Sequence, residues 1–135
     1  MNNFRRYLSA EDNIQEAVVK YVLKAYRVRV IPMNIEHKKT PFERYKSKVM
    51  GNHRGIPDIF IPVPNIEYAG LFIELKTADR KVFKANGELY ASGKETHEAQ
   101  LRKLEELNKA GYLAVMVFGF DEAKKIIDKY FKSVF

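Results

Sequence analysis

Residues 55–58 read Gly-Ile-Pro-Asp, and sixteen positions beyond Asp58 an apolar run that opens at Gly70 reaches Glu74-Leu75-Lys76. Side chains of an extended strand alternate between faces, so Glu74 and Lys76 share one side while Ile73 and Leu75 take the other. If a strand starting at Asp58 pairs alongside, Asp58 and Glu74 together offer hard oxygen ligands suited to Mg²⁺. Lys76 then stands beside the water that such a cation would carry. Hydrolysis of a phosphodiester needs that set of groups. Each residue also has a plainer reading: Asp58 as the start of a strand, Glu74 with Lys76 as an exposed i, i+2 pair on an edge strand. Residues Leu71 to Leu75 are otherwise apolar, which favours a charge held near the interior, and a buried charge requires a partner or a cation.

The elements that must position these groups follow from periodicity and caps. Ser9 with Asp12 resembles a capping box, and Ile14, Val18, Tyr21, Val22 and Ala25 follow at helical spacing, so a first helix is expected from Ala10 to Ala25. On that helix Glu11 falls within about 20° of the Val18 and Val22 stripe, whereas Glu16 is rotated by about 140°. Glu11 is expected to point inward and Glu16 to solvent. Val28 to Ile31 is a short β-prone run ended by Pro32, and residues 34–54 show no sustained period and read as a basic, partly mobile loop. Strands are expected at Asp58 to Ile61 and Leu71 to Leu75, separated by Pro62, Pro64 and Asn65.

Asn86-Gly87, flanked by Val82, Phe83, Leu89 and Tyr90, suggests a small hairpin. A second helix is expected from Thr96 to Ala110 with a stop at Gly111, then a buried strand from Leu113 to Phe118 and a last helix capped by Asp121. Gln100 falls on the stripe of Leu104 and Leu107, with Glu98 on the far side. Helix, strands, helix, strand, helix implies a mixed sheet flanked by helices. Glu11 and Gln100 can converge on Asp58, Glu74 and Lys76 if both helices pack near the strand ends. Taken singly, Gln100 reads as a helix-start hydrogen bonder and Glu11 as a first-turn acid favourable to the helix dipole.

The 135 residues, 46% hydrophobic, suit one compact domain. There is no cysteine, so any metal must use oxygen or nitrogen ligands. With no apolar run near the roughly 20 residues that span a bilayer, the chain reads as a soluble, cytoplasmic protein. Formal net charge is +7, and between Glu36 and Arg54 six Lys or Arg stand against two Glu, which fits a polyanionic partner. His37, His53 and His97 match no compact ligand spacing and read as surface or phosphate-contacting residues. Neither a phosphate-cradling GxxxxGK[ST] loop nor a Gly-x-Ser-x-Gly elbow is present. Phe42, Tyr45, Tyr68 and Tyr90 lie among basic residues and could stack on bases, although loop aromatics more often cover a core.

Together, Glu11-Asp12-Asn13-Ile14-Gln15, Met50-Gly51 before Gly55-Ile56-Pro57-Asp58-Ile59-Phe60, Gly70-Leu71-Phe72-Ile73-Glu74-Leu75-Lys76-Thr77, Gln100 and Gly111-Tyr112 cover most of the chain. On these residues the sequence resembles the PD-(D/E)XK nucleases and, more narrowly, stand-alone VRR-NUC domain proteins of phages and bacteria. The resemblance implies an α/β, restriction-endonuclease-like mixed β-sheet flanked by helices in one domain over 1–135. It implies that Glu11, Asp58, Glu74 and the Leu75 backbone carbonyl hold Mg²⁺ or Mn²⁺, that Lys76 orients or activates the attacking water, and that Gln100 supports the site. It implies cleavage of DNA to 5′-phosphate and 3′-hydroxyl ends. Small family members are similar to Holliday-junction resolvases, so branched DNA and a homodimer are expected, since two symmetric cuts suit a C2 pair. One departure is the segment 78–98, longer than the loop expected there, which could be a DNA-contacting hairpin or a dimer arm. Two alternatives stay open: a non-catalytic nucleic-acid-binding module, and a nuclease or nickase acting on linear duplex DNA.

Overall fold

The computed structural model describes residues 3–33 and 40–134. His37 and the beginning of the expected basic loop, 34–39, lie outside the described residues. After a 3-10 turn at Asn3–Tyr7 the order is α1 (Ala10–Tyr26), β1 (Ile31–Pro32), α2 (Pro41–Val49), β2 (Ile59–Ile61), β3 (Leu71–Lys76), α3 (Lys94–Lys109), β4 (Leu113–Phe118) and α4 (Phe120–Phe131). The sheet runs β1-β2-β3-β4, with the first two pairings antiparallel and β3 parallel to β4. A parallel pair needs a long crossover, and the hairpin around the Phe83↔Leu89 bridge together with α3 supplies it.

Each sheet face has its own core. Ile59, Ile61, Ile73, Leu75 and Val117 meet Val18 and Val22 of α1 and Ala123 and Ile127 of α4, while Phe72 and Ala114 meet Leu104 of α3. Strand β3 is buried at all six positions. It therefore reads as a run of apolar residues on both faces, as central strands do, until Glu74. Burying each of its large aliphatic residues stabilises the fold by roughly 1.5–3 kcal/mol. None of the described helices is long and apolar enough to cross a membrane.

Four local expectations change. The capping box at Ser9 and Asp12 is present, but the β-prone run after α1 pairs with β2 only at Ile31–Pro32, and Met33 carries the contact one step further by donating to the Asp58 carbonyl at 2.8 Å. Residues 41–49 are helical rather than looped: Thr40 accepts from the Glu43 amide at 3.1 Å and Pro41 occupies the first turn, where its missing N–H costs nothing. Asp121 sits inside the first turn of α4, and Gly119 is the cap residue. Asp58 stands one residue ahead of β2.

Candidate active site

The register of the sheet brings Asp58 to Glu74. Ile59 pairs with Ile73 and Phe60 with Phe72, so one step outward Asp58 lies opposite Glu74, past the end of the regular ladder. Phe60 and Phe72 stack at 4.3 Å on the α3 face, and two-residue alternation puts Asp58, Glu74 and Lys76 on that same face. The Asp58 carboxylate accepts the Leu75 amide at 2.6 Å. A side chain thus replaces the ladder bond a further β2 residue would have made, and it holds the acid at the strand end.

Gly55 ties this turn to α3. Its φ is +86°, and a Cβ there would lie 2.4 Å from the Ala99 carbonyl oxygen, so only glycine lets the chain pass so close to the helix. The next residue along the helix is Gln100, whose amide donates to Glu74 Oε1 at 2.8 Å. Lys76 Nζ lies 3.6 Å from the same oxygen. Glu74 and Lys76 are 4% and 6% exposed. Both contacts fall on Oε1, leaving Glu74 Oε2 and Gln100 Oε1 buried with no hydrogen-bond partner among the described residues.

Burial first, then the Asp58 charge, pushes the Glu74 carboxyl up to about 8; Lys76 opposes this and Glu11 adds to it. Two further acids therefore act on a buried third. Such mutual repulsion, with one oxygen orphaned, is what a hard cation relieves. Among the described residues no three His, Asp or Glu side chains form a group that could by itself hold a metal ion. The donor set fits the Mg²⁺ habit of taking one or two carboxylates and completing its shell with water and substrate oxygens.

The expected site residues are placed unequally. Asp58, Glu74, Lys76 and Gln100 meet at the strand end on the α3 face. Glu11, expected to point inward, is exposed, in the first turn of α1 and seven residues before Val18. Its charge nevertheless reaches Glu74. Glu16, expected in solvent, is half-buried and paired with Arg5 and Lys20.

His97 overturns its expectation as a surface residue. It is 1% exposed, its Nδ1 lacks a partner among the described residues, and Nε2 faces the Arg80 guanidinium at 3.5 Å. Burial, then the Lys76 and Arg80 charges, push its pKa down, so the imidazole is neutral beside the lysine. A Cβ on Gly93 would meet both Arg80 and His97 at 3.0–3.1 Å; the missing side chain is the space they occupy. The sequence carried a signal for this, since His97 precedes Gln100 by three and so shares its helix face. His53 is exposed, with Nδ1 3.0 Å from the Gly51 carbonyl oxygen.

Compared with solved structures, the chain is similar to one described as a "VRR_NUC domain protein", at 26% identity and a TM-score of 0.66, over 94% of this chain and 92% of that one. No protein-family model matches the chain, and no curated protein matches it. The likeness supports a VRR-NUC, restriction-endonuclease-like α/β fold, a mixed four-stranded sheet with four helices in one small unit.

Proposed function

We propose that this protein is a Mg²⁺- or Mn²⁺-dependent DNA endonuclease of the PD-(D/E)XK kind, structure-selective for branched DNA and acting as a homodimer. The observation that carries the reading is the buried Glu74 carboxyl, with one oxygen unpartnered and its pKa raised by burial first and then by nearby acids. The VRR-NUC likeness points the same way. Asp58, Glu74, the Leu75 carbonyl and, from the helix end, Glu11 would hold the cation, which when bound supplies a water of lowered pKa and positive charge against the phosphate.

The chain's own residues do the rest. Asp58 is locked by the Leu75 amide and Glu74 by Gln100, so the two carboxylates are oriented before substrate arrives, which spares reorganisation during reaction. Lys76, buried 3.6 Å from Glu74, presents an ammonium where negative charge gathers on the nucleophile and the phosphate. His97, neutral and packed behind, adds no competing positive charge. Scission leaves 5′-phosphate and 3′-hydroxyl ends in this reading. A C2 pair would place two such centres symmetrically on a junction.

The test is incubation with labelled four-way junction, splayed-arm and linear duplex DNA of matched sequence, in Mg²⁺, Mn²⁺ or chelator, alongside Lys76→Ala. Paired, metal-dependent cuts at the branch that vanish in Lys76→Ala are expected. Equal cutting of linear duplex would replace the branched substrate with the duplex or nickase reading, and tight binding without cleavage in any metal would leave a non-catalytic binding module.

A further inference from the structure

Helix α2 carries an unpartnered surface that the active site does not explain. Of its residues 41–49 only Ser47 is even half-buried. Phe42, Tyr45 and Val49 recur at i, i+3, i+7 with Met50 adjoining, and they are 69%, 65%, 60% and 73% exposed. The helix is well specified locally, by the Thr40 cap, Pro41 and the Asn52–Ser47 hydrogen bond. Yet isolated helices shorter than about 12 residues are marginal in water, and no buried residue anchors this one.

Charge selects among occupants. Lys46 and Lys48 flank the stripe on either side, Arg44 lies toward the opposite face, and Glu43 is the lone acid of α2. A second copy packed stripe to stripe would bring the flanking lysines of both copies together, and two nine-residue helices alone bury far less than the roughly 800 Å² per partner of a stable protein interface. A nucleic acid with unpaired bases matches both halves: its phosphates suit the lysines and arginine, and its exposed base faces suit the aromatic stripe. Fully paired duplex offers the phosphates without the base faces. Resting on the nuclease reading, we infer that α2 is a branch-reading arm, whose Phe42 and Tyr45 stack on the unpaired bases of a fork while its cations hold the adjoining backbone.

The experiment measures binding by fluorescence anisotropy in chelator, and cleavage in Mg²⁺, for wild type and a Phe42→Ala/Tyr45→Ala variant on splayed-arm, four-way junction and linear duplex DNA. Both side chains are exposed, so the variant should fold, with unchanged circular dichroism. It should bind splayed-arm DNA roughly tenfold or more weakly, the scale of a lost base–aromatic stack, and bind duplex within about twofold of wild type. Lys46→Gln/Lys48→Gln should instead weaken all three DNAs together and shallow the salt dependence. Metal-dependent cleavage with unchanged discrimination in the aromatic variant would overturn the arm and leave the nuclease reading standing, whereas a wild type that never cuts would sink that reading. A wild-type dimer that becomes monomeric in the aromatic variant, with DNA preference unaltered, would make the face a contact between copies and overturn the inference.

Discussion

Glu74 and Asp128 are both carboxylates drawn in from solvent, and their surroundings push them in opposite directions. Asp128 on α4 accepts from the Tyr21 hydroxyl, from the Tyr26 hydroxyl at 2.6 Å and from Lys124 at 3.1 Å. Those donors hold its carboxyl below the usual range, with the Tyr21 bond the largest cause, then Tyr26. Tyr26 is in turn pushed upward by burial and then by Asp128. Two tyrosines of α1 thus fasten α4, and every strong group has its partner. At Glu74 both contacts crowd onto one oxygen, the other has none, and further acids lie within reach. A half-buried carboxylate with every oxygen partnered stabilises; one fully buried with an oxygen unpartnered costs stability, which is the mark of a functional rather than a structural site.

The largest expected effect separates the two centres by activity. Lys76→Ala should lower metal-dependent cleavage on the order of 10²–10⁴-fold, the usual loss for a group assisting proton transfer, while Asp128→Asn should cut normally per folded molecule. A fall in turnover for Asp128→Asn at temperatures where it stays folded would erase the distinction.

Stability should separate them by sign. Asp128 has a depressed folded pKa, so its contribution is present above the ordinary aspartate value and is lost as pH falls through the lower folded one. Asp128→Asn should therefore cost about 2 kcal/mol in urea unfolding at neutral pH, and the difference should shrink in acid. Glu74 is raised to about 8, so in metal-free protein its favourable, protonated form is complete below the usual glutamate value and is lost as pH climbs toward 8. Glu74→Gln should make chelator-treated protein more stable than wild type at pH 8, by roughly 1–2 kcal/mol, with little difference at pH 4. Equal pH slopes for the two variants would contradict the assignment.

The smallest effect refines the Asp128 side. Tyr21→Phe should cost about 1 kcal/mol and move the acid limb of the stability curve upward, because its hydrogen bond is the main force holding that carboxyl low. An unmoved acid limb would shift that role to Tyr26 and Lys124.

Most of the Glu74 centre was legible in the sequence because strand geometry is local. Period-two alternation put Glu74 with Lys76, and helical period put Gln100 on its stripe, and the structure brings the three together. Leu113 to Phe118 matched its expected strand for the same reason. What was not legible depended on where elements end in space. Glu11 satisfied the angular test and is nevertheless exposed, since rotation about a helix axis carries no information about height along it. His97 was judged by metal-ligand spacing, which misses a histidine buried through Gly93 and Arg80. The Asp128 cluster joins residues 102 and 107 positions apart, and no local pattern marks such a contact. Helix α2 escaped because eight exposed residues out of nine, with no core to face, leave only a short apolar period, and its cap was the readable clue.

In the proposed site Glu74 keeps its proton only until a cation replaces it. Calorimetric titration of metal-free protein with Mn²⁺ at pH 7, in two buffers of different ionisation heat, reads that exchange directly. Binding should release about one proton in wild type, with the release abolished in Glu74→Gln and retained in Asp128→Asn. Binding without proton release, or with the same release in Glu74→Gln, would contradict it.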